Sequence, residues 1–110
     1  MSAVADEVMA ALADPTRWRV LNLLAERGEG TATTLAGELP VSRVAVVKHL
    51  AVLDRAGLVE GVRQGREVRY RVRPERLEQT ARWMAGLASQ WDQRLDALKR
   101  LAEEEAASGR

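Results

Sequence analysis

The most constraining feature of this chain is a short segment in which charged and apolar residues alternate, "EVRYRVR" at residues 67–73. Side chains of a β-strand point alternately to its two faces, so a period of two predicts a strand. One face would be buried and would carry Val68, Tyr70 and Val72. The other face would lie in solvent and would carry Arg69, Arg71 and Arg73.

The residues before this segment predict that it is the second half of a β-hairpin. An outgoing strand is expected from Leu58 to Val62, a turn at Gln64-Gly65, and a return strand from Arg66 to Val72. Glycine at position 65 can supply the positive φ of a tight turn. The arginine row is either a solvated strand face or a nucleic-acid contact, and the hairpin alone does not decide between them.

Two helices and a short third one are predicted ahead of the hairpin. The first, in "SAVADEVMAALA", has its apolar residues at helical spacing, namely Val4, Val8, Met9 and Leu12. The second begins at Asp14 as N-cap with Pro15 behind it and ends at Gly28. Its inward residues are expected to be Trp18, Val20, Leu21 and Leu24. The third is capped by Thr31 or Thr34 and points Leu35 and Leu39 inward.

A fourth helix is predicted between Ser42 as N-cap and Gly57 at its end. Val46, Leu50 and Leu53 form its core stripe, and Arg43, Val44, Val47 and Lys48 fall mostly elsewhere on its surface. The turn "LPVS" joins it to the short third helix, which is the arrangement of a helix-turn-helix. With the hairpin directly after it, the order predicts a mainly α (α+β) winged helix-turn-helix fold.

The last segment predicts one long helix from Pro74 with a frayed polar tail. Its apolar residues recur at threes and fours, which is a near-heptad seam: Leu77, Met84, Leu87, Trp91, Leu95, Leu98 and Leu101 or Ala102. A helix of about thirty residues is roughly 45 Å long, more than the domain can cover, so dimerisation is predicted. A lid for its own domain is the alternative. Trp83 is either a core residue or part of a pocket for a small-molecule effector.

Composition excludes several classes of function. The chain has no cysteine and one histidine, so disulfides, thiolate metal sites and cysteine nucleophiles are excluded, and neither a metal nor a cofactor is expected. No nucleophile–base pair or phosphate loop is present, so the chain is not expected to be an enzyme. No apolar run or export signal is evident, and we expect a cytoplasmic protein with no membrane contact. Net charge is +1, but residues 41–80 hold nine basic and five acidic side chains, which favours a polyanionic partner.

Three stretches together resemble the ArsR/SmtB family of bacterial winged-helix repressors. "ALADPTRWRVLNLLAERG" is similar to the opening helix of the family, "SRVAVVKHLAVLDRAGLV" to its recognition-helix segment, and "VRQGREVRYRV" to its wing. They cover roughly residues 10 to 73. Two departures stand out: Val47 occupies a position that is usually polar, and the metal ligands of the sensor members are missing.

The resemblance implies a homodimer that binds a near-palindromic operator in double-stranded DNA and represses transcription. It implies one domain over residues 1–110, with dimerisation helices at 1–13 and 74–107 around a helix-turn-helix core and wing at 14–73. The implied DNA contacts are Ser42, Arg43, Val44, Val47, Lys48 and His49 on the helix, and Arg63, Arg66, Arg69 and Arg71 on the wing. The dimer contacts would be Val4, Val8, Met84, Leu87, Trp91, Leu95 and Leu98. The alternative function is a winged-helix module that binds a protein and not DNA.

Overall fold

The structure is a computed structural model that describes residues 2–109, and it begins with α1 (Ala3–Leu12) and α2 (Pro15–Arg27). The carboxylate of Asp14 accepts hydrogen bonds from the backbone N–H groups of Thr16 and Arg17, at 2.8 and 3.2 Å. Gly28 ends α2 with a φ of 85°. The predicted start and end of this helix are confirmed, because each relies on a residue type that satisfies the terminal backbone groups.

The helix-turn-helix consists of α3 (Ala32–Ala36) and α4 (Arg43–Arg55). Thr31 is the N-cap of α3, and the hydroxyl of Thr34 accepts a hydrogen bond from the backbone N–H of Thr31. The predicted caps at Ser42 and Gly57 are also found. Gly57 has a φ of 75°, and a Cβ there would lie 2.8 Å from the side chain of Arg76, so both backbone and packing favour glycine.

The hairpin is present as β1 (Val59–Gln64) and β2 (Glu67–Val72), with its turn one residue later than predicted. Gln64 pairs with Glu67, so the two turn residues are Gly65 and Arg66 and not Gln64 and Gly65. Gly65 has a φ of 64° and Arg66 does not have a positive φ. That is the pattern of a type II′ turn, which places glycine at the first central position.

A short pairing with the segment after α2 anchors the hairpin. Gly30 and Tyr70 exchange two backbone hydrogen bonds, of 3.0 and 2.8 Å. The ring of Tyr70 lies close to Gly61, where a Cβ would come within 2.9 Å of it. Tyr70 and Val72 pack against the core but are half-buried, as is Val68, so the predicted buried face is only partly covered.

The core of residues 2–80 is built from leucine, valine and alanine, and its fully buried side chains include Leu24, Leu35, Leu50, Leu53 and Leu58. The prediction that Trp18 points inward is wrong, since it is 50% exposed while Val20 and Leu21 of the same helix are buried. The helix presents Val20, Leu21 and Leu24 to the core, and Trp18 lies to one side of this stripe.

The last helix, α5 (Glu75–Ser108), begins within the same unit. There the guanidinium of Arg76 donates to the Glu7 carboxylate at 2.8 Å and to the Ala56 carbonyl at 3.3 Å, which ties this helix to α1 and to the end of α4. Residues 81–109 form a second unit, a single helix through Gly86 and Ser89 that ends at Ser108. The expected frayed tail is therefore helical from Glu103 to Ser108, consistent with the helix propensity of its glutamates and alanines, and its last residue, Arg110, lies outside the described residues.

Candidate nucleic-acid interface

The exposed side of α4 carries four of the predicted DNA contacts. Val46, Leu50 and Leu53 turn into the core, which fixes the opposite surface toward solvent. Arg43 and Lys48 are exposed there, and the exposed fractions of Val44 and Val47 are 62% and 42%. An apolar pair between two cations is thus presented at the N-terminal half of the helix.

Two further predicted contacts of this helix are Ser42 and His49. The hydroxyl of Ser42 accepts the backbone N–H of Ala45 at 3.2 Å and caps α4. His49 is half-buried. At the start of α2, the backbone N–H groups of Arg17 and Thr16 lower the pKa of the Asp14 carboxyl. Ser42 therefore supports the start of its own helix.

Arg43 is held in place by a residue of the preceding helix. Its Nε–H donates to the hydroxyl of Thr33 at 3.1 Å. Because this bond uses Nε, the two terminal nitrogens of the guanidinium stay available for a second partner. Sequence reasoning missed Thr33, although its place at the start of the first helix of a helix-turn-helix could have drawn attention to it.

The register of the hairpin assigns the wing arginines to two faces. Directly paired residues share a face, so Arg63, opposite Val68, lies on the side of Val68 and Tyr70. Arg69 and Arg71 lie on the other side, with Val62 and Glu60 across from them. Arg66 is in the turn. The ten predicted DNA contacts are therefore not on one continuous surface.

A cleft of about 250 Å³ separates the start of α4 from the wing. Arg43 and Val47 from α4 meet Arg66 from the turn in its lining. The complete lining is Thr31, Ala32, Thr33, Arg43, Val47, Arg66, Glu67, Val68 and Tyr70. From the strand, Val68 and Tyr70 line this cleft together with Glu67 beside the turn, and Arg69 does not line it. Helix and wing cations thus converge on one side through Arg43 and Arg66.

Carboxylates accompany the arginines of the outer wing face. Arg69 is half-buried and forms a salt bridge of 3.2 Å with Glu29, in the loop after α2. Arg71 is exposed and lies directly across the hairpin from Glu60. Within residues 2–109, Arg63 and Arg66 form no salt bridge. Of the wing arginines, only Arg69 is therefore held in a salt bridge within the described residues, which the sequence pattern alone did not indicate.

A separate apolar surface follows α5. The side chains of Met84, Leu87, Trp91, Leu95 and Leu98 are 39% to 62% exposed, and Leu101 continues the row. The two predicted dimer contacts in α1 differ from these. Val8 is only 1% exposed and belongs to the core of its own chain, and Val4 is half-buried and packs against that core. The side chain of Val8 is therefore not available to a partner in this conformation.

Between residues 2 and 109, no three or more histidine, aspartate or glutamate side chains are grouped as metal ligands would be. Over the same residues, no helix combines the length and apolar character needed to cross a membrane.

Comparisons with known proteins identify the family. Residues 12–62 match the family model described as a helix-turn-helix domain. The transcriptional repressor SdpR of Bacillus subtilis is 29% identical over 87 residues, which are 79% of this chain and 96% of that protein.

Two solved structures extend the likeness to the fold. An ArsR-like transcriptional regulator from Rhodococcus sp. RHA1 is 47% identical, with a TM-score of 0.80 and coverage of 91% of this chain and 93% of the other. A homodimeric winged helix-turn-helix DNA-binding domain from Mycobacterium bovis, a possible ArsR-family regulator, is 30% identical, with a TM-score of 0.60 and coverage of 84% and 82%. The chain therefore belongs to the ArsR-like family of winged helix-turn-helix, DNA-binding transcriptional regulators, which are not enzymes.

Proposed function

We propose that this protein is a homodimeric repressor that binds a near-palindromic operator in double-stranded DNA and does not respond to metals. The observation that carries the DNA-binding part is the shared cleft of Arg43, Val47 and Arg66. In a helix-turn-helix, the N-terminal residues of the second helix contact base edges in the major groove. Arg43, Val44 and Val47 occupy that part of α4, and Lys48 extends the same surface.

The dimer part of the proposal rests on α5. An exposed apolar row of this length is a typical protein interface, because isolated soluble chains seldom leave such a patch in water. The row from Met84 to Leu98 has the threes-and-fours spacing of a helix-packing seam. The Mycobacterium bovis relative is a homodimer, which supports the same assembly here.

Repression and insensitivity to metals are each supported by a separate observation. One relative is a transcriptional repressor. The chain has no cysteine and a single histidine, so it offers neither thiolate ligands nor a pair of imidazoles for a transition metal. We expect zinc, cadmium, nickel and arsenite to leave operator affinity unchanged in a titration, and a metal that binds tightly and releases the DNA would contradict this.

Selection of bound fragments from random duplexes, followed by sequencing, tests the proposal. An inverted repeat should be enriched, and binding to it should weaken steeply with salt, by about 0.9 in the log–log slope for each phosphate neutralised. Binding to a protein partner through an apolar centre would depend much less on salt. Failure to enrich any sequence, together with weak binding that does not depend on salt, would refute DNA recognition.

A further inference from the structure

The exposed valines of α4 have a specific chemical use on DNA. Val44 and Val47 are three residues apart, so they are neighbours on one face of the helix. Neither belongs to the core stripe, and both are largely in water in this structure. Valine has no hydrogen-bond donor or acceptor beyond the backbone, so it cannot recognise the polar edge of a base.

We propose that Val44 and Val47 read thymine through its 5-methyl group, so that the operator half-site requires thymine methyls where these side chains meet the major groove. The inference rests on the proposed function and specifies the sequence it recognises. Thymine is the unmodified base that presents an apolar group in the major groove, and the valine side chains are the apolar surface that would meet it.

The surroundings of the two valines favour DNA over a protein as the occupant. Arg43 precedes Val44, Lys48 follows Val47, and Arg66 lines the same cleft as Val47. The same cleft holds one carboxylate, Glu67, so three cations outnumber it. Protein interfaces are depleted of charged residues at their centre, whereas an excess of cations around two small apolar side chains complements a polyanion. The bond from Arg43 to Thr33 leaves the terminal nitrogens of Arg43 able to bind a guanine next to the thymines.

The test compares the selected operator with copies in which single thymines are replaced by deoxyuridine, which lacks only the 5-methyl group. Burial of one methyl-sized group corresponds to about a fourfold change in affinity. We expect replacement of one or two thymines in each half-site to lower the affinity by this factor, and replacement of the other thymines to leave the affinity unchanged. A parallel set with 5-methylcytosine in place of cytosine tests the other source of a 5-methyl group, and a gain there without any loss with deoxyuridine would overturn the assignment to thymine.

Three variants of the protein, each with one valine replaced by alanine, complete the test. For each variant, the measured quantity is the ratio of the affinity for the operator with thymine to the affinity for the copy with deoxyuridine. Val47→Ala and Val44→Ala should each bring this ratio close to 1 at a single operator position, because the side chain that meets the methyl group is shortened. Val62→Ala is the matched control, since Val62 is an exposed valine on the outer wing face and should leave every ratio unchanged. Alanine suits an exposed helix position, so the α4 variants should fold, and melting curves check this.

The outcomes separate this inference from the proposed function. If wild-type protein binds no duplex specifically, the proposed function fails. If it binds an operator and every thymine can be replaced by deoxyuridine without loss, only the inference is overturned. If both α4 variants still bound thymine more tightly than deoxyuridine at every position, the inference would also be overturned, because other residues would then contact the methyl groups.

Discussion

Two surfaces of this molecule expose apolar side chains to solvent, and the charges around them differ. On α4, Val44 and Val47 lie among cations, with Arg43 and Lys48 on the helix and Arg66 across the cleft. On α5, a longer apolar row lies in a segment, residues 81–110, that holds five basic and five acidic side chains. Apolar exposure alone therefore does not identify a partner.

The charges around each apolar surface indicate its partner. A balanced set of charges around a long apolar row suits a second copy of the same helix, which would offer both signs of charge in return. A small apolar pair among mostly positive side chains suits a polyanion with apolar groups in its groove. Variants on α5 should therefore change assembly, and variants on α4 should change DNA recognition.

Leu95→Glu should have the largest effect, because it places a carboxylate in the centre of the α5 row. Equilibrium sedimentation at micromolar concentration should show a dimer for the wild type and a monomer for the variant. Operator affinity should fall by about 10²–10⁴-fold, as the two half-sites would no longer be bound by one linked molecule.

Gln93→Glu is the matched control for that variant. Residue 93 is two positions from both Trp91 and Leu95, about 200° around the helix from each, so it adds the same charge on the opposite side. It should remain dimeric. A wild-type monomer, or a Leu95→Glu dimer with normal affinity, would mean that α5 is not the interface.

Arg43→Ala should act on sequence recognition and not on assembly. Its guanidinium is exposed, and a bidentate contact with guanine is worth about 1–3 kcal/mol for each half-site. The variant should remain a dimer and should lose more affinity for the operator than for random DNA in competition titrations. Equal losses on both would show that Arg43 contacts phosphate instead.

Much of the fold could be predicted from the sequence because its signals are local. Asp14, Ser42 and Gly57 satisfy helix ends through their own side chains or backbone, and the alternation at residues 67–72 defines a strand by itself. The hairpin turn was displaced by one residue because either side of Gly65 offers an acceptable two-residue turn. Only the pairing of Gln64 with Glu67 decides between them.

The candidate site was less accessible to sequence reasoning because it depends on contacts between distant segments. Arg69 and Glu29 are 40 residues apart and Arg43 and Thr33 are 10 apart, so no periodicity connects them. Alternation correctly placed Arg69 and Arg71 on one face of the strand. It could not show that α4 lies on the side of Val68 and Tyr70.

Arg66→Ala and Arg69→Ala compare a cation near the exposed valines with one away from them. Arg66 lines the cleft with Val47, so its loss should remove one phosphate contact from each half of the dimer and reduce the salt slope by nearly 2. Arg69 lies on the outer face and is paired with Glu29, so its loss should reduce the slope by less. Affinity measured over a series of salt concentrations gives both slopes. If the salt dependence of DNA affinity were the same for both variants, Arg66 and Arg69 would contribute equally to DNA binding, and the two wing faces would not differ in this respect.

Glu29→Gln should have the smallest effect and would show why Arg69 contributes little. In the wild type, the Glu29 carboxylate lies 3.2 Å from the Arg69 guanidinium and offsets its positive charge. The Arg69 and Glu29 side chains are 41% and 50% exposed, so loss of the pair should change stability by less than about 1 kcal/mol, and melting curves should be nearly unchanged. Removing the carboxylate should increase affinity for random DNA and operator by similar small factors and steepen the salt slope. The gain should disappear in the Glu29→Gln, Arg69→Ala double variant, because the released cation is then missing. If the gain persisted without Arg69, Glu29 would act by general repulsion of DNA, and the salt bridge would have no part in setting the strength of the wing.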